Sequence, residues 1–262
     1  MKVGFIGGGN MGGALIGGLT QKCCAPSDIA LYEKDAQKAA AFKETGINTV
    51  ESASAAEAAS EIIVFSVKPN IIDSVLSEMS GDKNKIYLSI AAGVTVAHLE
   101  EMLGADKKIV RAMPNTPAQV GCGMTVISPN KNVDDEDIKK VKMLLSAVGM
   151  VQQMDEKFMS VATALHGSSP AYVYMFIDAM ADAGVKYGLT KQQALTLAAQ
   201  AVAGSAEMVL ACGEHPEKLK DNVCSPGGTT IAAVCDLEKN GFRGIVQSAV
   251  CACVDKADEM SK

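Results

Sequence analysis

Along the first half of the chain, short apolar runs alternate with stretches in which apolar residues recur every three or four positions. The runs are Lys2–Ile6, Ile29–Tyr32, Glu61–Val67, Ile86–Ile90 and Lys108–Met113. The helical patterns between them are Met11–Leu19, Asp35–Lys43, Ile71–Met79 and Val96–Leu103. Apolar strands separated by helices predict a parallel sheet covered on both faces. "DDEDIKKVKMLLSAVG" predicts a helix that closes this region, and Met150–Met154 is a short run after it. From about Asp155 onward almost every segment carries helical spacing, and Ala194–Val209 is mostly Ala, Val, Met and Leu. A helix apolar all round needs cover on every side, and a domain of about a hundred residues has little interior to give it. The expectation is an α/β chain with an all-helical second half through which two copies dimerise. A stable monomer in light scattering at micromolar concentration would count against that.

The stretch "VGFIGGGNMGGALIGGL" sets Gly7, Gly9 and Gly12 in G-x-G-x-x-G register between the first strand and the first helix. Each glycine meets a separate physical need. Gly7 allows the tight turn, Gly9 the close approach of a pyrophosphate, and Gly12 the close packing of helix on strand. This predicts a Rossmann-type dinucleotide-binding domain over residues 1–155, followed by a helical substrate and dimerisation domain over 156–262. At the end of the second strand, "LYEKDAQK" offers Glu33 for a ribose diol. An acid there repels a 2′-phosphate and favours NADH, whereas the adjacent Lys34 attracts that phosphate, so NADPH and NADH both stay open. Two more loops follow strand ends, "VFSVKPN" and "SIAAGVT", where this fold places ligands. Ala91, Ala92 and Gly93 are small enough to let a flat ring near the backbone.

A second glycine cluster, "NVCSPGGTTIAAV", has helical rather than β sequence before it, so it is not another nucleotide turn. Ile231, Val234 and Leu237 repeat at helical spacing after it, which marks a helix N-terminus. Ser225 is the expected cap, with Pro226 in the first turn and Gly227, Gly228, Thr229 and Thr230 offering N–H groups beside hydroxyls. With no Arg or Lys cluster at hand, one carboxylate fits better than a diphosphate. The plainer alternative is an ordinary capped helix.

Composition narrows the partners. The chain has 262 residues and a net charge of −6, and no Lys/Arg-rich stripe with interleaved aromatics, which argues against nucleic acid. It holds eight cysteines without a C-x-x-C pair and only three histidines, so no metal site is expected. Buried, reduced thiols in a cytoplasmic protein are the expected reading. The most apolar stretch, "ALTLAAQAVAGSAEMVLA", is interrupted by Gln200, Ser205 and Glu207 and reads as a core or interface helix, not a bilayer span.

Taken in order, "FIGGGNMG", "VKP", "AAGVT", "RAMPNTPA", "GSSPAYVYMFIDAMADAGVKYGL", "EHPEKLKDNVCSPGGTTIAAV" and "GFRG" resemble the Δ1-pyrroline-5-carboxylate reductases over essentially the whole chain. The resemblance implies NADPH- or NADH-dependent reduction of 1-pyrroline-5-carboxylate to L-proline, the last step of proline biosynthesis. Hydride passes from nicotinamide C4 to the imine carbon. It implies a pyrophosphate loop at Ile6, Gly7, Gly8, Gly9, Asn10 and Met11, and an adenosine ribose at Glu33. Ser66, Val67, Lys68 and Pro69, with Ile90, Ala91 and Ala92, match segments lining the cofactor. Glu156, Asn222, Thr229 and Thr230 match positions that contact substrate or proline, Ser225 and Gly228 stand in the same block, and Thr230 matches the hydroxyl that bonds the ring nitrogen. An intertwined homodimer, in some members built into larger rings, is also implied. The chain departs from the pattern at Glu33, where many relatives carry a small hydroxyl residue. It departs again at His166, which precedes Gly167 and Ser168 where many read Ser-Gly-Ser. His166 would act as a proton donor or, the plainer reading, pack on the next helix. The competing enzyme class is a β-hydroxyacid dehydrogenase or related imine reductase, with Lys186 as its candidate acid/base. The non-enzyme reading is a dinucleotide-binding protein without catalysis.

Overall fold

Apolar runs become strands here because each is covered twice. In the structure, a computed structural model that describes residues 1–260, all four residues of Val3–Ile6 (β1) and of Ile62–Phe65 (β4) are buried. They lie in an eight-stranded sheet of order β3-β2-β1-β4-β5-β6-β7-β8. The other strands are β2 (Ile29–Tyr32), β3 (Asn48–Thr49), β5 (Ile86–Ser89), β6 (Lys108–Met113), β7 (Gly123–Pro129) and β8 (Gly149–Gln153). β1 to β6 are parallel, β7 runs antiparallel to β6, and β8 pairs parallel with β7.

The helices follow in chain order: α1 (Asn10–Lys22), α2 (Ala36–Glu44), α3 (Ala53–Ala58), α4 (Pro69–Leu76), α5 (Val96–Leu103), α6 (Asp135–Ser146) and α7 (Met159–Ala162). One sheet face buries Phe5, Leu31, Val64 and Leu88 under Leu15 and Leu19 of α1 and Val141 and Leu145 of α6. The other buries Ile6, Ile63 and Phe65 under Ala56 of α3, Ile72 of α4 and Leu99 of α5. This compact unit comprises Met1–Ser168 and the segment from Val254 onward.

The second compact unit, Ser169–Cys253, is entirely helical. It contains α8 (Ser169–Lys186), α9 (Lys191–Cys212), α10 (Pro216–Val223), α11 (Thr229–Lys239) and most of α12 (Phe242–Met260). Only small side chains, Ala181, Ala194 and Ala198, are buried in it, while Met175 is 74% exposed, Leu197 63%, Leu210 64% and Ile245 66%. α9 has the length and apolarity of a bilayer span, with a mean hydropathy of 1.5, yet little of it is buried within the chain. The expectation of an apolar helical half without an interior of its own therefore describes this unit.

One expectation changes. All eight cysteines are free, but only Cys24 is buried; Cys23, Cys122, Cys212, Cys235 and Cys251 are exposed. Three of these sit on α9, α11 and α12, whose outer faces nothing in the chain covers. The last two residues of the expected second domain, Ser261 and Lys262, lie outside the described residues.

Candidate active site

β1 and β4 are the neighbours at which the strand order reverses, and their carboxyl ends are Ile6 and Phe65. Ligands of open α/β sheets bind at such a switch point. Gly7, at φ +100°, turns the chain out of β1, and its N–H donates to the Tyr32 carbonyl at 2.8 Å. The Ser66 hydroxyl, from the end of β4, donates to the Gly7 carbonyl at 2.6 Å and lies 3.1 Å from that of Ile6. A Cβ on Gly12 would stand 2.5 Å from the Gly7 carbonyl oxygen and 2.8 Å from the Ser66 hydroxyl, so α1 can start this close only without a side chain there. A Cβ on Gly9 would meet no atom within 4 Å. Gly9 is also the N-cap of α1 and gives no side-chain cap. The first N–H groups of α1, around Asn10 and Met11, thus lack intrahelical partners and carry the positive end of the helix dipole. These features fit a diphosphate.

Beside this loop, the Glu33 carboxylate accepts from the Gly8 N–H at 2.6 Å and the Asp35 N–H at 2.9 Å. Lys68, exposed, is the N-cap of α4, and Pro69 is its first residue. The Ile90 N–H donates to the Phe65 carbonyl at 3.1 Å, with Ala91 buried and Ala92 exposed after it. The register pairs Ile6 with Tyr32 and Phe65, and Phe65 with Ser89. Ile6–Met11, Glu33, Ser66–Pro69 and Ile90–Ala92 are therefore gathered at one edge of the sheet. Ser66 differs in detail from a simple lining residue, because its hydroxyl braces the glycine loop.

Glu156 belongs to the same unit. Its Oε1 accepts from Arg111 Nη1 at 2.8 Å and from the Val96 N–H at 2.8 Å, the start of α5. Arg111, 8% exposed in β6, is a partner the sequence reading missed; its signal was an arginine inside the apolar run "KIVRAM". His166 lies in a π-helical turn, Thr163–Gly167, with Nδ1 2.5 Å from the Ala162 carbonyl and Nε2 2.7 Å from that of Met113. Both ring nitrogens meet main-chain carbonyls, one in the preceding turn and one in β6. Among the described residues, no group of three His, Cys, Asp or Glu side chains is placed to hold a metal.

The second glycine cluster lies in the helical unit and corrects the expected cap. α11 begins at Thr229, its N-cap is Gly228, and Ser225 caps nothing. Ser225–Gly228 is instead a turn closed by the Gly228 N–H on the Ser225 carbonyl at 3.0 Å, with Gly227 at φ +68°. Proline second and a positive-φ glycine third is the chemistry of a type II turn, so Pro226 sits in the turn and not in the helix. A Cβ on Gly228 would displace the Ser225 hydroxyl and lie 3.1 Å from the Ser225 carbonyl oxygen. With no side-chain cap, the N–H groups of Thr229 and Thr230 are open to an anion. Asn222 stands exposed in the last turn of α10. Two cations of α10 and α12 are occupied: Lys220 pairs with Glu217 at 2.7 Å, and Arg243 with Glu217 at 2.8 Å and Glu238 at 2.6 Å. Those hydrogen bonds, from Lys220 first and then Arg243, push the Glu217 carboxyl down to about 2. The turn thus presents helix-end N–H groups beside hydroxyls.

Comparison with known proteins decides among the reductases such a site would suit. Pyrroline-5-carboxylate reductase of Escherichia coli K12 is 49% identical to the chain over 265 residues, covering 100% of the chain and 98% of the relative. The chain belongs to the pyrroline-5-carboxylate reductase family. The family described as pyrroline-5-carboxylate reductase dimerisation matches residues 156–260, and that described as NADP oxidoreductase, coenzyme F420-dependent, matches residues 2–93. The reductase of Pisum sativum is 40% identical over 99% of the chain and 96% of its own length. Among solved structures, the Coxiella burnetii reductase superposes with a TM-score of 0.94 at 35% identity, covering 100% of the chain and 98% of its own. The Plasmodium falciparum reductase, solved with NADP bound, superposes with a TM-score of 0.89 at 38% identity over 100% and 98%. The stretch matched at 2–93 contains the glycine loop, Glu33, Ser66–Pro69 and Ile90–Ala92. The reductase dimerisation segment contains Glu156, the second glycine cluster and the uncovered apolar helices.

Proposed function

We propose that the chain is a reductase that converts 1-pyrroline-5-carboxylate to L-proline with NADPH or NADH, completing proline biosynthesis. The observation that carries this is full-length similarity to the reductase family in a chain whose glycine-led helices α1 and α11, one in each unit, both start without a side-chain cap. We assign the pyrophosphate to Ile6–Met11, the adenosine ribose to Glu33, and the cofactor lining to Ser66, Val67, Lys68, Pro69, Ile90, Ala91 and Ala92. When bound, the cofactor supplies the hydride, delivered from nicotinamide C4 to the imine carbon. The N–H groups of Thr229 and Thr230, with Asn222, Ser225 and Gly228 around them, hold the substrate carboxylate. Thr230 orients the ring nitrogen, and Glu156 is a further substrate contact. The substrate's iminium carbon is already electrophilic, so the residues have mainly to hold and orient it. Orientation of two held reactants removes several kcal/mol of barrier, about 7 or more in favourable cases.

Residues 156–262 serve as the dimerisation domain and 1–155 as the cofactor domain. A second copy covers Leu197, Leu210 and Ile245, and it is the partner we assign to the apolar α9. Light scattering is expected to give a dimer, or a multiple of it if dimers build a ring. Eight free cysteines suit a reducing compartment, the cytoplasm.

The reading is tested by adding the cyclic imine to enzyme and reduced cofactor and following nicotinamide absorbance at limiting protein. Consumption that stops with one cofactor oxidised per imine is expected; no consumption returns the chain to the dehydrogenase or non-catalytic readings. For Thr230→Ala, kcat is expected to fall by roughly three- to tenfold, the worth of one neutral hydrogen bond, with cofactor Kd unchanged. Thr230→Ser should restore most of it. Full turnover in the alanine variant would take Thr230 out of the mechanism.

A further inference from the structure

The choice between NADH and NADPH turns on what stands at the adenosine ribose, and here that is a carboxylate held in place. We propose that Glu33 makes this chain select NADH. The inference rests on the reductase reading and on the cofactor edge described above.

Glu33 follows the last residue of β2, Tyr32, whose carbonyl is itself tied to the Gly7 N–H at 2.8 Å. Both carboxylate oxygens are fastened to main chain, Oε2 to the Gly8 N–H and Oε1 to the Asp35 N–H, at 2.6 and 2.9 Å. A glutamate on a solvated turn would swing away from an incoming phosphate; this one would have to break two charge-assisted bonds to do so. The position over the loop is tight. A Cβ on Gly8 would come within 3.4 Å of Oε2 and 2.6 Å of the Phe42 ring, so only glycine fits beneath them.

A carboxylate accepts about four hydrogen bonds, two at each oxygen. One site on each oxygen is taken by main chain, which leaves one on each for the 2′- and 3′-hydroxyls of a ribose. A 2′-phosphate reverses this match, since it brings roughly two negative charges and no donor. The surroundings carry charge of both signs. Asp35, the side-chain cap of α2, adds a second carboxylate two residues on, and Lys38 leans on it at 3.9 Å. Lys34, exposed and without an ion pair among the described residues, favours a phosphate but is solvated and held by nothing, whereas the Glu33 carboxylate is fixed at both oxygens. The Plasmodium falciparum relative was solved with NADP bound; with Glu33 in place, this chain is expected to favour NADH.

The test is isothermal titration of the purified enzyme with NADH and with NADPH, in the absence of substrate. NADH is expected to bind roughly tenfold more tightly or better, with kcat/KM following the same order. Glu33→Ser is expected to narrow or invert the difference, weakening NADH and strengthening NADPH. Glu33→Gln, which keeps the shape and removes the charge, should move NADPH more than NADH. Wild-type enzyme binding NADPH as tightly as NADH, or more so, would overturn the selection by Glu33 and leave the reductase reading intact. Binding of neither nucleotide would overturn both. The wild-type comparison stands even if a variant fails to fold.

Discussion

Gly12→Ala is expected to weaken reduced-cofactor binding by roughly a hundredfold while leaving a folded protein. The added methyl would sit 2.5 Å from the Gly7 carbonyl oxygen and 2.8 Å from the Ser66 hydroxyl. Neither is the free end of a flexible side chain. The Gly7 carbonyl is fixed by Ser66, and the Gly7 N–H by Tyr32. The start of α1 must therefore move off the edge between β1 and β4, and its N–H groups move with it. Overpacking of this kind costs about 1–3 kcal/mol, so a fall in Tm of several degrees accompanies the loss of binding. Gly9→Ala separates the two effects. A Cβ there meets nothing in the chain, so stability should stay near wild type while the methyl occupies the ground assigned to the pyrophosphate. Gly13→Ala is the neutral control, with the Phe42 ring 3.5 Å from the new carbon, an ordinary contact. Titration calorimetry and thermal melts on the three variants are the check. Wild-type affinity in both Gly9→Ala and Gly12→Ala would remove this loop from the cofactor site.

Much of this edge was legible from spacing because the forces that set it are local. Gly7 and Gly12 answer demands made within a few residues of themselves, a positive φ and the approach of the Gly7 carbonyl. Helix α5 falls on Val96–Leu103 as expected, since Thr95 caps it by accepting from the His98 N–H and Gly104 ends it. Strand β7 was missed: "GMTVISP" begins at a glycine and ends at a proline, and it is a strand because β6 and β8 pair with it on either side. β3, two residues long, has no periodicity to read, and α3 is a single short run of alanines around Glu57. The turn at Ser225–Gly228 carried its own signal, since Pro-Gly marks a turn before it marks a helix start. Arg111 and Glu156 lie 45 residues apart, and no local pattern announces their pairing. The clamp on Glu33 is likewise tertiary: its residue type was readable, but its two bonds depend on how the β1 and β2 ends meet.

The largest loss of stability is expected far from the chemistry, at Glu57. This side chain on α3 is 2% exposed and accepts three hydrogen bonds, from the Ser80 N–H at 2.8 Å, the Gly81 N–H at 3.2 Å and the Tyr87 hydroxyl at 2.5 Å. Lys85 closes the same corner by donating to the Glu57 and Ser60 carbonyls at the end of α3. Glu57→Leu leaves two main-chain donors and a fully buried phenol without their acceptor. Such losses cost about 3–5 kcal/mol, so Tm is expected to fall by roughly 10 °C. Tyr87 gives the corner a pH signature. Burial first, and then its bond to Glu57, push its hydroxyl far above the ordinary tyrosine range. A group whose pKa is raised by folding contributes stability that is complete below its unfolded value, about 10 for tyrosine, and declines as pH rises past it. Urea midpoints of the wild type should therefore drop between about pH 9 and 11 more steeply than those of Tyr87→Phe, which has no proton to lose there. Lysines held in ion pairs add an alkaline decline to both proteins, so the difference between them is the quantity to read. Parallel curves would mean that the phenol is not shielded by the sheet and that the Glu57 corner is open to water.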